Sequence, residues 1–271
     1  MAKLDTNAAW KEASAIVSAN REVVIALAGV FFMLPRWAAA MIAGEPEVVP
    51  GMNGEQMFAV MEAFYAKTWW VILGSAALQI VGMLAMLTLM RDRSRPTVGE
   101  AIRIGLPGAL SCLAALVLFA VGTGIAGVIV VGFAAAISDT LAAVVALLVL
   151  IATLFAMFRL ILVAPVVAVE GVRNPVTAMV RSWRLTARNF WRIFSFVLLI
   201  AILFLLVAVI IMTIVGLLLV VATSGESQRV IAAAFSSALI AAAMVYFAGV
   251  IAAIHRQLGG PAAADLSATF E

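Results

Sequence analysis

"FWRIFSFVLLIAILFLLVAVIIMTIVGLLLVVA", residues 190–222, decides the fold. After Arg192 the run holds no charged side chain, and a helix crosses a bilayer core with only about 20 apolar residues. This stretch therefore spans a membrane with length left over, and should tilt, kink or project. Outward from it, further apolar runs occupy roughly residues 230–254, 141–168, 106–134 and 68–90, and a first run, 23–44, is interrupted by Pro35 and Arg36. None alternates apolar with polar at period two, which argues against a β-barrel. The expected fold is all-α, a polytopic membrane protein with about six transmembrane helices.

Composition leads to the same class. Of 271 residues 66% are apolar and only 11% charged, with a mean hydropathy of +1.19; soluble domains carry about a quarter charged residues. The single cysteine, Cys112, excludes a disulfide framework or a cysteine metal site within one chain. The polar N-terminal segment, with Asp5, Glu12 and Glu22 among its lysines, does not read as a cleaved signal, so the first span is expected to be retained.

Basic residues orient the spans, because positive flanks stay cytoplasmic during insertion. With both termini inside, Lys3, Lys11, Arg21, Arg91, Arg93, Arg95, Arg103, Arg173, Arg181, Arg184, Arg188, Arg192 and Arg256 share one face, thirteen of the seventeen basic residues. Ahead of each odd-numbered span lies a short polar or amphipathic segment. The chain thus reads as a single integral membrane domain, 1–258, of three units, 5–90, 97–168 and 174–255, each an interfacial helix followed by a two-span hairpin, with 259–271 as a flexible cytoplasmic tail. Thr97 with Glu100 forms a capping box, and Asn174 before Pro175 an N-cap with proline at the first helical position. Residues 55–66 suggest a short amphipathic helix at the outer surface, with Met57, Val60, Met61 and Phe64 as its apolar stripe.

Candidate functional residues concentrate in "RSWRLTARNFWRIF", 181–194. Arg181, Arg184, Arg188 and Arg192 fall on one helical face, with Trp183, Phe190, Trp191 and Phe194 around it. Such a stripe fixes topology and anchors in the headgroup layer; alternatively it binds a phosphate-bearing ligand, for which the planar guanidinium fork suits arginine better than lysine. Arg159, inside a span, either holds a kink and pairs across helices or reaches lipid phosphate, since intramembrane charge costs about 2.5 to 3.5 kcal/mol. Pro165 cannot donate a backbone hydrogen bond and leaves the Ile161 carbonyl free. Glu170 is placed to clamp an elbow through Arg173, Arg181 or Arg184, and His255 reads as an interfacial polar residue ending the last span. Arg36 should reach outward to Glu45, Glu47 or headgroups, and small residues at Ala120 and Gly124, and at Ala234, Ala238 and Ala242, should form packing or subunit surfaces.

The segment "FRLILVAPVVAVEGVRNPVTAMVRSWRLTARNFWRIF", 158–194, resembles the membrane domain found ahead of the catalytic domain in some bacterial glycerophosphodiester phosphodiesterases, and in related stand-alone inner-membrane proteins. Arg159, Pro165, Glu170, residues 181–186 and Trp191 carry the likeness. The resemblance implies a bacterial inner-membrane protein, and we expect a stand-alone member without the catalytic barrel. One histidine and no carboxylate cluster assemble no acid and base pair or metal site. The expectation is thus a non-enzymatic protein with no catalytic residue, metal or cofactor, which binds anionic membrane lipids or scaffolds a complex. Its partners would be lipids, a second copy or another membrane protein, and no nucleic acid. The alternatives are a small transporter, channel or lipid mover, and an accessory subunit of a separate phosphodiesterase.

Overall fold

The structure is a computed structural model that describes residues 3–19, 21–44, 46, 48–91 and 98–259. Among the described residues ten α-helices follow in order: α1 (Thr6–Ala19), α2 (Arg21–Ala28), α3 (Leu34–Ala43), α4 (Gly54–Arg91), α5 (Val98–Ala135), α6 (Asp139–Arg159), α7 (Val163–Val169), α8 (Pro175–Thr186), α9 (Phe190–Ala222) and α10 (Glu226–Gly259). A π turn, Gly29–Met33, joins α2 to α3. Six segments are long and apolar enough to cross a membrane: Arg21–Ala43, Gly54–Met90, Gly105–Ala135, Asp139–Val169, Phe190–Ala222 and Glu226–Gly259. The chain is an all-α multi-pass membrane protein.

Local chemistry explains the irregular points. Pro35 lacks an N–H and its ring crowds the carbonyl four residues back, and the π turn just before it absorbs the conflict, with the Leu34 N–H bonding the Gly29 carbonyl. The first span is therefore deformed at Pro35 but not ended there. Arg36 is exposed on α3; its expected partners Glu45 and Glu47, like Thr97 of the capping box and the tail 260–271, lie outside the described residues. The outer amphipathic segment 55–66 is no separate helix but the first turns of α4. Likewise the polar lead-in from Val98 and the span that follows are one helix, α5, running through Pro107. The fifth span is continuous over 33 residues, about 50 Å of helix against a hydrocarbon core of about 30 Å.

The core sits at one end. Leu84, Ala85 and Met86 of α4, Leu162 and Val166 beside and in α7, and Ala248, Ala253 and Ile254 of α10 are wholly buried there. Helix α1 closes this end by lying against α10: Ala9 and Ala13 are fully buried, and a Cβ built on Gly249 would stand 3.3 Å from the Ala13 carbonyl oxygen. Arg256 ties α1, α4 and α10 together, donating to Glu12 at 2.9 Å and to the Met90 carbonyl. We call this the basic end. At the opposite end the helices are exposed, and the most apolar stretches of α6 and α9 bury none of their residues.

The six tryptophans divide between the two ends, with Trp10, Trp183 and Trp191 toward the basic end and Trp37, Trp69 and Trp70 toward the other, as expected of interfacial belts. The small-residue prediction needs correction. Gly122 and Gly124 face open space and only Gly127 approaches a neighbour, Val149, while Ala120 and Ala242 are exposed. On α10 the buried face is Ser237, Ala241, Val245 and Ala248, with Ala234 and Ala238 only partly covered, because Trp37 and the π turn reach α10 from a different side than spacing alone suggested.

Candidate functional site

The elbow between α6 and α8 is built around a helix break. Helix α6 ends at Arg159, residues 160–162 turn, and α7 restarts with Pro165 in its first turn, where a missing N–H breaks no bond within α7. Pro165 offers no N–H to the Ile161 carbonyl, as the sequence implies, and the break takes the helical partners of two further groups, the Arg159 carbonyl and the Leu162 N–H. Ser182 of α8 satisfies both. Its hydroxyl donates to the Arg159 carbonyl at 2.9 Å and accepts from the Leu162 N–H at 3.2 Å. Thr186, one turn later, donates to the same carbonyl at 3.2 Å. Ser182 and Thr186 are buried, on the face of α8 opposite its exposed arginine, Arg184.

Glu170 follows α7, and Gly171 adopts a positive φ of 71° that turns the chain toward α8. Asn174 then caps α8, its side chain accepting from the Thr177 N–H at 3.1 Å. Arg181 reaches back with its Nε to both Glu170 oxygens, at 3.2 and 3.0 Å. From α10, His255 Nε2 stands 3.0 Å from Glu170 Oε1. Glu170 is therefore an elbow clamp held by Arg181 and His255. The reading of His255 as an interfacial end residue is corrected: it is 5% exposed, because α10 runs past the elbow and brings it inside.

Arg159 lies in an aromatic nest. Its guanidinium carbon is 4.5 Å from the Trp183 ring centroid and 5.9 Å from that of Phe155, and the residue is 7% exposed with Nε lacking a hydrogen-bond partner. Attraction to ring faces offsets part of the desolvation, about 2 kcal/mol where water is excluded. The rings continue across two helices, Phe155 to Phe190 at 4.6 Å and Phe158 to Phe194 at 4.9 Å. Trp191 packs on Phe190 and Phe194 while remaining 75% exposed.

The four arginines do not form one stripe. Helix α8 stops at Thr186, residues 187–189 turn, and α9 begins at Phe190. Neither glycine nor proline marks this break. Asn189 accepts the Leu4 N–H with its side-chain oxygen at 3.2 Å, and Arg192 donates to the Leu4 carbonyl at 3.3 Å, so the chain turns where the N-terminal segment docks. Arg181 and Arg192 are thereby engaged within the protein. Arg184 and Arg188 are exposed and make no ion pair or hydrogen bond among the described residues. Ser182, Thr186 and Asn189 had no role assigned from sequence, although Ser182 and Thr186, four apart on one helical face, were a legible signal.

No curated protein and no solved structure matches the chain. Residues 133–258, which hold the helix break, the Glu170 clamp, the aromatic nest, Arg184 and Arg188, match the model of the family described as membrane domain of glycerophosphoryl diester phosphodiesterase.

Proposed function

We propose that this multi-pass protein is a non-enzymatic component of a bacterial inner membrane that binds anionic lipid, with its basic end and both termini in the cytoplasm. One observation carries the reading: Arg184 and Arg188 stand exposed without partners among the described residues, between Trp183 and Trp191, which are 40% and 75% exposed. Exposed aromatic rings at the headgroup level beside unneutralised guanidinium groups suit a phosphate. At about 1 kcal/mol per basic residue near an anionic surface, the pair contributes about 2 kcal/mol, roughly thirty-fold in affinity. Native mass spectrometry of protein extracted gently from its own membrane tests this. A retained anionic lipid mass is expected, lost when Arg184 and Arg188 are both changed to glutamine; equal retention, or none in either protein, overturns the reading.

The family description favours a second reading, that the basic end holds a separately encoded phosphodiesterase. Co-purification of that enzyme activity with the wild type, and its loss on altering exposed groups at the basic end, would establish the scaffold in place of the lipid site.

A further inference from the structure

The ring contacts between α6 and α9 all lie at the basic end, where Phe155 and Phe158 meet Phe190 and Phe194. Helical periodicity continues those same faces away from the rings, through Ile151, Leu148 and Val144 on α6 and through Leu198, Ala201 and Leu205 on α9. All six positions are exposed, Leu148 and Leu205 to 59% and 62%. Two helices that touch at one end and expose the continuation of the touching faces must diverge. The result is an apolar cleft with an aromatic floor, open toward the other end of the molecule.

The floor end of this cleft is charged. Trp183 packs on Phe155 of the floor, and Arg184 and Arg188 follow it in the chain, exposed and unpaired among the described residues. Cationic groups beside the floor and apolar walls above it match one kind of occupant, an amphiphile with an anionic head and long chains. The geometry points to a single anionic phospholipid held between α6 and α9, its phosphate at Arg184 and Arg188 and its acyl chains lying along the two helices. This rests on the lipid-binding reading of those arginines and adds to it a defined seat for the chains. The occupied cleft differs from ordinary annular lipid in that head and chains are fixed together, so loss of the head contacts should empty the walls.

The test uses phosphatidylglycerol carrying a photoreactive diazirine at the end of one acyl chain, with the full chain reconstituted in phosphatidylcholine vesicles and labelled peptides mapped by mass spectrometry. Labelling is expected to concentrate on residues 139–157 and 198–222, and to fall about thirty-fold in the R184Q/R188Q variant. Filling the cleft with L148W or L198W, both at exposed positions that leave the core intact, should reduce labelling in the same way with the arginines in place. Excess inorganic phosphate should not displace the lipid; displacement would mean that the charged floor end alone binds. Even labelling of all lipid-facing helices, unchanged in the variants, overturns the cleft, while a lipid mass still lost on R184Q/R188Q would leave the headgroup site standing. A dimer whose α6 and α9 are shielded from label overturns it in favour of a second copy. Absence of any retained lipid in the wild type removes both readings.

Discussion

Replacing Ser182 by alanine removes one hydroxyl and two hydrogen bonds. The Leu162 N–H, in a residue with no exposed surface, loses its side-chain acceptor; the Arg159 carbonyl keeps only Thr186. An orphaned buried backbone donor costs about 1 to 3 kcal/mol, whereas hydrogen bonds between membrane helices average about 0.6 kcal/mol and reach about 1.7. The first range applies more closely, because the break cannot re-form α-helical bonds while Pro165 fixes the restart. We therefore expect S182A to lose about 2 kcal/mol, and S182A/T186A to lose about 3 as the carbonyl is orphaned as well. T186S, which keeps the hydroxyl, should stay near the wild type. Reversible unfolding in mixed micelles, followed by far-ultraviolet circular dichroism against denaturing detergent, measures these differences. If S182A lies within about 0.5 kcal/mol of the wild type, the ordinary range for an inconsequential surface change, then Ser182 does not hold the break and the account of the elbow is wrong.

Glu170→Ala should cost about 1 to 2 kcal/mol by leaving buried His255 without its carboxylate partner, with Glu170→Gln milder because an amide oxygen can still accept; the same unfolding assay reads both. Three glycines separate close packing from open space: a Cβ on Gly82 would collide with Phe31 Cβ, one on Gly249 would stand 3.2 Å from Val17 Cγ2, and one on Gly124 would meet nothing within 4 Å. Gly82→Ala should therefore destabilise by about 1 to 3 kcal/mol, Gly249→Val should loosen α1 and raise proteolysis of residues 3–19, and Gly124→Ala should be neutral or slightly stabilising. Trp183→Ala should cost about 2 kcal/mol by uncovering Arg159, whereas Trp183→Phe should recover part of that; equal loss in both would place the energy in hydrogen bonding or packing volume rather than in the ring face.

Apolar run length made all six spans legible, because the bilayer sets one length scale and the chain has little choice but to meet it. Asn174 before Pro175 was legible for a similar reason: its chemistry is local and its partner is Thr177. What could not be read was which faces meet. Glu170 named its own need for a cation, but His255 came from 85 positions away. The arginine spacing suggested a continuous helix because nothing in "LTARNF" forbids one; the break comes from Asn189 and Arg192 binding Leu4, a contact across more than 180 positions. Ser182 was hidden differently. A serine on a polar helix is unremarkable until the opposing helix breaks, and that break lies 20 residues earlier in the chain.

The docking of α1 on α10 bears on how the protein is made. Asp5 and Gln257 exchange two hydrogen bonds, at 2.9 and 3.2 Å, across 252 positions. Helix α1, synthesised before α10, therefore cannot reach its final seat until α10 has entered the bilayer, and until then Ala9 and Ala13 have no α10 to cover them. Insertion order and final assembly are separate events in this protein. A nascent chain halted before α10 would hold its early spans in the membrane yet keep an unsealed basic end, a feature by which membrane proteases could tell unfinished copies from finished ones.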